Sequence, residues 1–229
     1  AHIAVHSLKD METQLAISTF IGAVYDRASR NDVLISNYNS LQELPKGAKI
    51  GTSSPRRTAF LKNLRQDFSI ELCRGNIETR ISKFKNKEYD AIVLAEAGLS
   101  RLNLNYTNKI PLHIMPPAAG QGAIAIQCIE NPKFLEINKV ISSINNEKAF
   151  FETKAERSLI HNLKGNCKSP ISSSANLINN KTLILEGYVA KIDGSSIIYD
   201  KIDGNKNEAD LLGLKLAKRL IKKGAKKLL

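Results

Sequence analysis

Gly51–Arg80, GTSSPRRTAFLKNLRQDFSIELCRGNIETR, holds the same physical device twice: a strand end or turn running into a helix start with arginines beside it. In the first copy Ala48-Lys49-Ile50 reads as a short strand and Gly51-Thr52-Ser53-Ser54 as a turn with a Ser N-cap. Pro55 suits the first helical position, which needs no amide hydrogen. Arg56 and Arg57 then fall in the first turn, where the helix macrodipole disfavours cations, so an anion is expected beside them. In the second copy Ser69–Cys73 reads as a strand, Arg74-Gly75 as the turn and Asn76 as the N-cap of a helix carrying Arg80. Helix N-termini offer free amide hydrogens, and guanidinium forks match carboxylate or phosphate oxygens. Together the copies imply a cleft for a ligand with several acidic groups. Each arginine could instead pair with a local Asp or Glu at the surface; four of them at two helix starts favour a site.

Outward from this stretch the pattern repeats. A strand at Ala48–Gly51, a helix at Arg56–Arg65, a strand at Ser69–Cys73, a helix at Ile77–Lys85 and a strand at Ala91–Ala95 make a βαβαβ layout, hence a parallel sheet covered by helices. Upstream, Ala1–Val5 reads as a strand, Leu15–Val24 and Val33–Ile35 as two more, and Ser40–Leu44 as a short helix stopped by Pro45. The first strand runs into Ser7, Lys9 and Asp10, which is either the ligand-binding carboxyl edge of a sheet or an exposed turn; the residues alone favour the turn. Pro116–Gly122 is either an ordinary loop or the point where the chain leaves one lobe for another, before a strand at Ala123–Cys128. Beyond it come a helix at Glu147–Leu163 with Phe151, Ala155, Leu159 and Leu163 on one face, strands at Ile171–Ile178, Thr182–Ala190 and Ser195–Asp200, and a last helix near Glu208–Lys223. That is a compact α+β unit.

A chain of 229 residues holds two or three small domains. No run approaches a membrane helix and the start has no signal-peptide layout, so a cytoplasmic protein with no membrane partner is expected. The formal charge of +12 invites nucleic acid. Much of the excess is lysine near the C-terminus, aromatics make up 6%, and no finger or zipper pattern occurs, so a solvated lysine face is the better reading and no nucleic-acid partner is expected. Cys73, Cys128 and Cys167 are odd in number and far apart, against a disulfide framework and against a metal site. The chain opens without Met on what already reads as a strand, so a preceding segment is expected.

The stretches AVHSLKD (4–10), GTSSPRR (51–57), RGNIETRISK (74–83), YDAIVLAEAGLSRL (89–102), PPAAGQGA (116–123) and KGNCKSP (164–170) together resemble the porphobilinogen deaminase family, in the family's order and spacing across nearly the whole chain. The resemblance implies two periplasmic-binding-protein-like doubly wound α/β lobes facing a cleft, the first incomplete in this sequence, and a small α+β third domain. Lobe 1 would hold residues 1–25 and 119–145, lobe 2 residues 26–118, and the C-terminal domain residues 146–229. It also implies a monomer that acts on porphobilinogen: loss of ammonia gives a cationic methylene-pyrrolenine, the terminal pyrrole of a covalent dipyrromethane attacks it, and repetition gives hydroxymethylbilane in tetrapyrrole (heme) biosynthesis. Cys167 would hold that cofactor through a thioether, a role the residue alone would not suggest. Asp10 matches the catalytic aspartate; Lys9, Ser7, Thr52, Ser54, Arg56 and Arg57 would bind the cofactor, and Arg74, Arg80 and Gln121 the substrate. The family has Gly-Gly before the cysteine where this chain has Gly165-Asn166, and Asn tolerates a left-handed backbone well enough for the turn to survive. The segment expected upstream would, in this family, bring further strands, another cleft arginine and a lid. The rivals are a binding protein without catalysis, which would leave Cys167 unexplained, and a nucleic-acid binder, which steep salt-dependent retention on DNA would favour.

Overall fold

The computed structural model describes residues 2–166 and 168–229. In chain order these form β1 (Ile3–Ser7), β2 (Thr19–Arg27), β3 (Asp32–Ser36), β4 (Lys49–Gly51), α1 (Pro55–Leu64), β5 (Ser69–Glu71), α2 (Ile77–Lys85), β6 (Ala91–Ala95), α3 (Glu96–Arg101) and β7 (Asn108–Lys109). They continue through β8 (Ala123–Ile129), α4 (Leu135–Ser143), α5 (Glu147–Asn162), β9 (Ile171–Leu177), β10 (Thr182–Ala190), β11 (Ile197–Asn205) and α6 (Ala209–Lys222). Among the described residues no helix is long and apolar enough to cross a membrane.

The strands make three sheets. The central one has the order β5-β4-β6-β3-β7, with β5, β4 and β6 parallel as the βαβαβ pattern requires and β3 antiparallel to β6. β6 and β3, in its middle, are nearly continuous apolar runs because both faces are covered. On one face Leu34, Ile50, Ala91 and Val93 pack against Ala59, Phe60 and Leu61 of α1. On the other, Val33, Ile35, Ile92 and Leu94 meet Ile77, Ile81 and Phe84 of α2 and Leu99 of α3. The sheet is therefore wound on both sides.

The second sheet, β1-β8-β2, places the returning strand β8 antiparallel between β1 and β2. The chain thus crosses from this sheet to the central one after Arg27 and comes back at Ala123. Gly122 sits where the two crossings touch: its φ is 87°, and a Cβ there would lie 2.4 Å from the Ala28 carbonyl oxygen, so only glycine fits. The Pro- and Gly-rich bend carries the chain from the central sheet back to β8. The third sheet, β11-β10-β9, is antiparallel and lies under α5 and α6, with Leu159, Leu183, Leu185, Leu212 and Leu216 at its core.

Two expectations fail. Ser40–Leu44 forms turns and no helix: the Ser40 hydroxyl and Glu43 carboxylate bond within the segment, and a carboxylate oxygen takes the Asn39 amide hydrogen. A five-residue segment ended by Pro45 lacks the length to sustain helical bonding. The strand expected from Leu15 starts only at Thr19, because Ser18, at φ 59°, turns the chain just before it.

Candidate functional site

Lys9 and Asp10 lie on a single 3-10 turn, Leu8–Asp10, at the end of β1. The turn is held from beneath by Leu8, fully buried among Val24, Ala123, Ala125 and Ala149. Above it two adjoining cavities meet, sharing Lys9, Asp10, Ser54, Arg56 and Ala118 in their walls. The smaller, about 80 Å3, runs to Asn166 and Ser169 on either side of the cysteine loop's tip. The larger, about 520 Å3, runs past Ser7, Arg57 and Gln121 to Arg80 and Arg101.

The first helix start is built as its sequence dictates. Ser54 caps α1, its Oγ accepting from the Arg57 amide at 3.4 Å, while the Ser54 amide donates to Thr52 Oγ1 at 3.2 Å. The anion required beside Arg56 and Arg57 is Asp32, at the start of β3 and wholly buried. Arg56 Nη2 donates to Asp32 Oδ2 at 2.6 Å and Arg57 Nη2 to Oδ1 at 2.7 Å. Burial alone would raise the Asp32 carboxyl; the two guanidinium charges outweigh it and hold it well below the usual carboxylate range. The remaining Nη1 groups donate to the Pro116 carbonyl at 2.6 Å and the Val93 carbonyl at 2.9 Å. Each arginine keeps a buried Nε with no partner.

Gln121 locks this group to the lobe crossing. Its Nε2 donates to the Arg30 carbonyl at 2.7 Å and to Asp32 Oδ1 at 3.1 Å, and its Oε1 accepts from Arg56 Nη2 at 3.4 Å. The ensemble of two arginines and one aspartate keeps one positive charge. Lys9 adds to it, and burial, with Arg57 next, pulls the Lys9 pKa down from 10.5 to about 8.

The second helix start also forms as read. Asn76 caps α2, accepting from the Thr79 amide at 2.8 Å, and Arg80 Nε donates back to the Gly75 carbonyl at 2.7 Å. Gly75, Asn76, Ile77 and Arg80 line the larger cavity. Two expected residues stand apart: Arg74 is exposed and outside the cavity walls, and Thr52 is buried beneath the Ser54 cap. Cys167 lies outside the described residues. Among the described residues of its loop the left-handed one is Lys164, at φ 57°, so Asn166 is not asked to take that conformation. Asn166 instead spans the tip, its Oδ1 accepting from the Lys168 amide at 2.8 Å.

Three residues in or beside the cavities escape a reading of the sequence. Asp32 is 24 positions before the arginine it pairs with and carries no local signal. Arg101, which lines the larger cavity and donates to the Gly122 carbonyl at 2.9 Å, ends the six-residue helix α3, too short for a periodicity. Arg157, in the wall of the smaller cavity, sits off the apolar face by which α5 is recognised.

Two family models match: porphobilinogen deaminase, dipyromethane cofactor binding domain, over residues 1–137, and porphobilinogen deaminase, C-terminal domain, over residues 150–222. The chain belongs to the porphobilinogen deaminase family. A porphobilinogen deaminase of Nitratiruptor sp. is 42% identical over 234 residues, covering 100% of this chain and 74% of that protein. One of Campylobacter jejuni is 43% identical over 234 residues, covering 100% of this chain and 75% of its own length. Among solved structures a putative methionine-binding lipoprotein of Bacillus subtilis aligns with a TM-score of 0.39 at 16% identity, over 56% of this chain and 61% of that one.

Proposed function

We infer that the cleft performs the porphobilinogen deaminase reaction, a transferase step of tetrapyrrole biosynthesis that builds hydroxymethylbilane from porphobilinogen on a dipyrromethane cofactor. The observation that carries the site reading is the meeting of the two cavities at Asp10, one leading to the cysteine loop and the other to Arg80 and Arg101. The donor set suits the group. A dipyrromethane bears acetate and propionate carboxylates, and the walls of the larger cavity offer Lys9, Ser54, Arg56, Arg80 and Arg101 against one carboxylate, Asp10, with the unpartnered Nε groups of Arg56 and Arg57 behind them.

When bound through Cys167, the cofactor supplies a nucleophilic pyrrole carbon on which successive units are added. Everything else is asked of the protein's own residues. Asp10, exposed at the rim of both cavities, accepts hydrogen bonds from pyrrole N–H groups and stabilises the positive charge that develops as porphobilinogen loses ammonia, where a fixed carboxylate has most leverage. Lys9, Ser7, Ser54, Arg56 and Arg57 hold carboxylates at the cofactor end, with Thr52 acting through the Ser54 cap. Arg80 and Gln121, with Arg101, serve the incoming substrate, and Arg74 meets it from outside the cavity. The sheet β1-β8-β2 with α4 forms the first lobe, the central sheet the second, and residues 146–229 the cofactor-carrying domain. We take the protein to act as a monomer on this small molecule, with no nucleic acid or membrane partner. A reducing cytoplasmic compartment suits Cys73 and Cys128, which are buried free thiols.

Intact mass of the denatured protein beside its Cys167→Ser variant tests this. An excess of two linked pyrroles in the parent, absent from the variant, is expected. Equal unmodified masses that stay equal after porphobilinogen is added would sink the assignment of Cys167.

A further inference from the structure

Arg157 is a buried arginine with no carboxylate within ion-pair distance among the described residues. Its guanidinium is spent on three successive carbonyls: Nη1 donates to Met11 at 3.2 Å, and Nη2 donates to Glu12 at 2.6 Å and to Thr13 at 3.3 Å. Burial lowers its pKa, the sign of a charge kept out of water at a cost. These three carbonyls belong to the residues that directly follow Asp10. The same turn is held on its other side by Leu8, packed against Ala149 of α5 with Phe150 alongside. One helix therefore grips the Asp10 turn at two points, at Ala149 and Phe150 and, two turns on, at Arg157. About 8 Å further along its axis it ends and the cysteine loop begins.

We propose that Arg157 is a positioning residue for Asp10: by fixing the Met11–Thr13 backbone to α5 it sets where the Asp10 carboxylate stands relative to the loop that carries Cys167. The proposal rests on the role given to Asp10 above. A lysine cannot reproduce the function, because one ammonium cannot satisfy three carbonyls spread along a chain in the way a planar fork does. A loosened turn leaves the cleft's cationic walls intact, so substrate is still bound. What is lost is the alignment of the carboxylate with the developing charge, and a displacement of about 1 Å at such a group costs on the order of a hundredfold in rate.

The test uses Arg157→Lys and Arg157→Ala holoenzymes, each compared with the parent for pyrrole mass, melting temperature, kcat and KM for porphobilinogen. The expected result is retained pyrrole mass, kcat lowered at least tenfold in the lysine variant and further in the alanine variant, and KM changed less than threefold. Methylguanidinium at non-denaturing concentration should restore kcat in Arg157→Ala severalfold, because Arg157 lies between the small cavity and an apolar hollow of about 640 Å3 that gives the additive a way in. The same additive should leave an Asp10→Asn enzyme inactive. Parent-level kcat in the lysine variant would overturn the proposal, as would a loss confined to the unloaded or unfolded fraction with no response to methylguanidinium. If the alanine variant does not fold, the kcat and KM of the lysine variant decide alone. Normal turnover in Asp10→Asn would overturn the reading of Asp10 and this proposal with it, whatever Arg157 does.

Discussion

Asp32 converts two arginines that would repel one another at a helix start into a fixed pair, one carboxylate oxygen to each guanidinium. Asp32→Asn keeps the shape and one acceptor but removes the charge, leaving Arg56 and Arg57 buried with no counter-ion. Breaking a buried ion cluster from one side costs about 3–5 kcal/mol, so a lower melting temperature and poor pyrrole loading are expected, read by thermal unfolding and intact mass; parent-like values for both would deny Asp32 this role. Lys9 supplies the pH dependence. Its folded pKa of about 8 lies below the ordinary lysine value of 10.5, through burial first and Arg57 second. The unfolded chain therefore binds the extra proton between these values, so this group detracts from stability below about pH 8 and the cost fades as pH rises. In the cofactor-free protein the charge available to a cofactor carboxylate falls across the same window. Pyrrole loading of the apoprotein should therefore fall as pH passes 8, and in Lys9→Arg, charged throughout, that fall should be absent; an identical fall in both proteins would remove Lys9 from cofactor binding.

Where local chemistry decides an element, the sequence was enough. The bounds of α2, β6 and β10 come out at the expected residues because Asn76 caps the helix with its own side chain, β6 is an unbroken apolar run and β10 alternates buried with half-buried positions. The caps at Ser54 and Asn76 were legible for the same reason. Elements set by tertiary contact were not. α3 follows β6 without a break, its N-cap Ala95 making no side-chain bond, and α4 starts at Leu135, its N-cap Phe134 likewise making none. The site divides on the same line. Ser7, Lys9, Asp10, Arg80 and Gln121 are drawn to one cleft by the ends of strands and helices that a period can locate. Asp32, Arg101 and Arg157 act through partners 21 to 146 positions away, and no spacing within the chain announces such a pair. The net charge of +12 carries no information on where the cations lie: Arg56 and Arg57 are buried against Asp32.

At the scale of the molecule, the two lobe crossings and the C-terminal unit meet in one buried ion cluster. Arg27 Nη2 donates to Glu156 Oε2 at 2.9 Å and Nη1 to Glu152 Oε2 at 3.4 Å, and Arg30 stands within 4 Å of both carboxylates. Glu156 also accepts from the Gly120 amide of the returning crossing and from the Ala175 amide of β9, both at 2.8 Å. A second joint ties the C-terminal unit to the central lobe, with Phe60 edge-on to Tyr188 and Asn63 Nδ2 donating to the Gly194 carbonyl at 3.0 Å. Since no unit can leave without exposing charges held by the others, heat should unfold all three together, in one calorimetric transition that coincides with loss of helical signal. Glu156→Gln removes the charge at the centre while its amide faces backbone donors it cannot accept from. The loss should be about 3 kcal/mol or more, and at roughly 2–4 °C per kcal/mol for a chain of this size the midpoint should fall by at least about 6 °C. A first transition confined to the C-terminal unit in the parent, or an unmoved midpoint in the variant, would show that this unit and the other two sheets are stable apart, leaving the alignment of Asp10 with the cysteine loop to α5 alone.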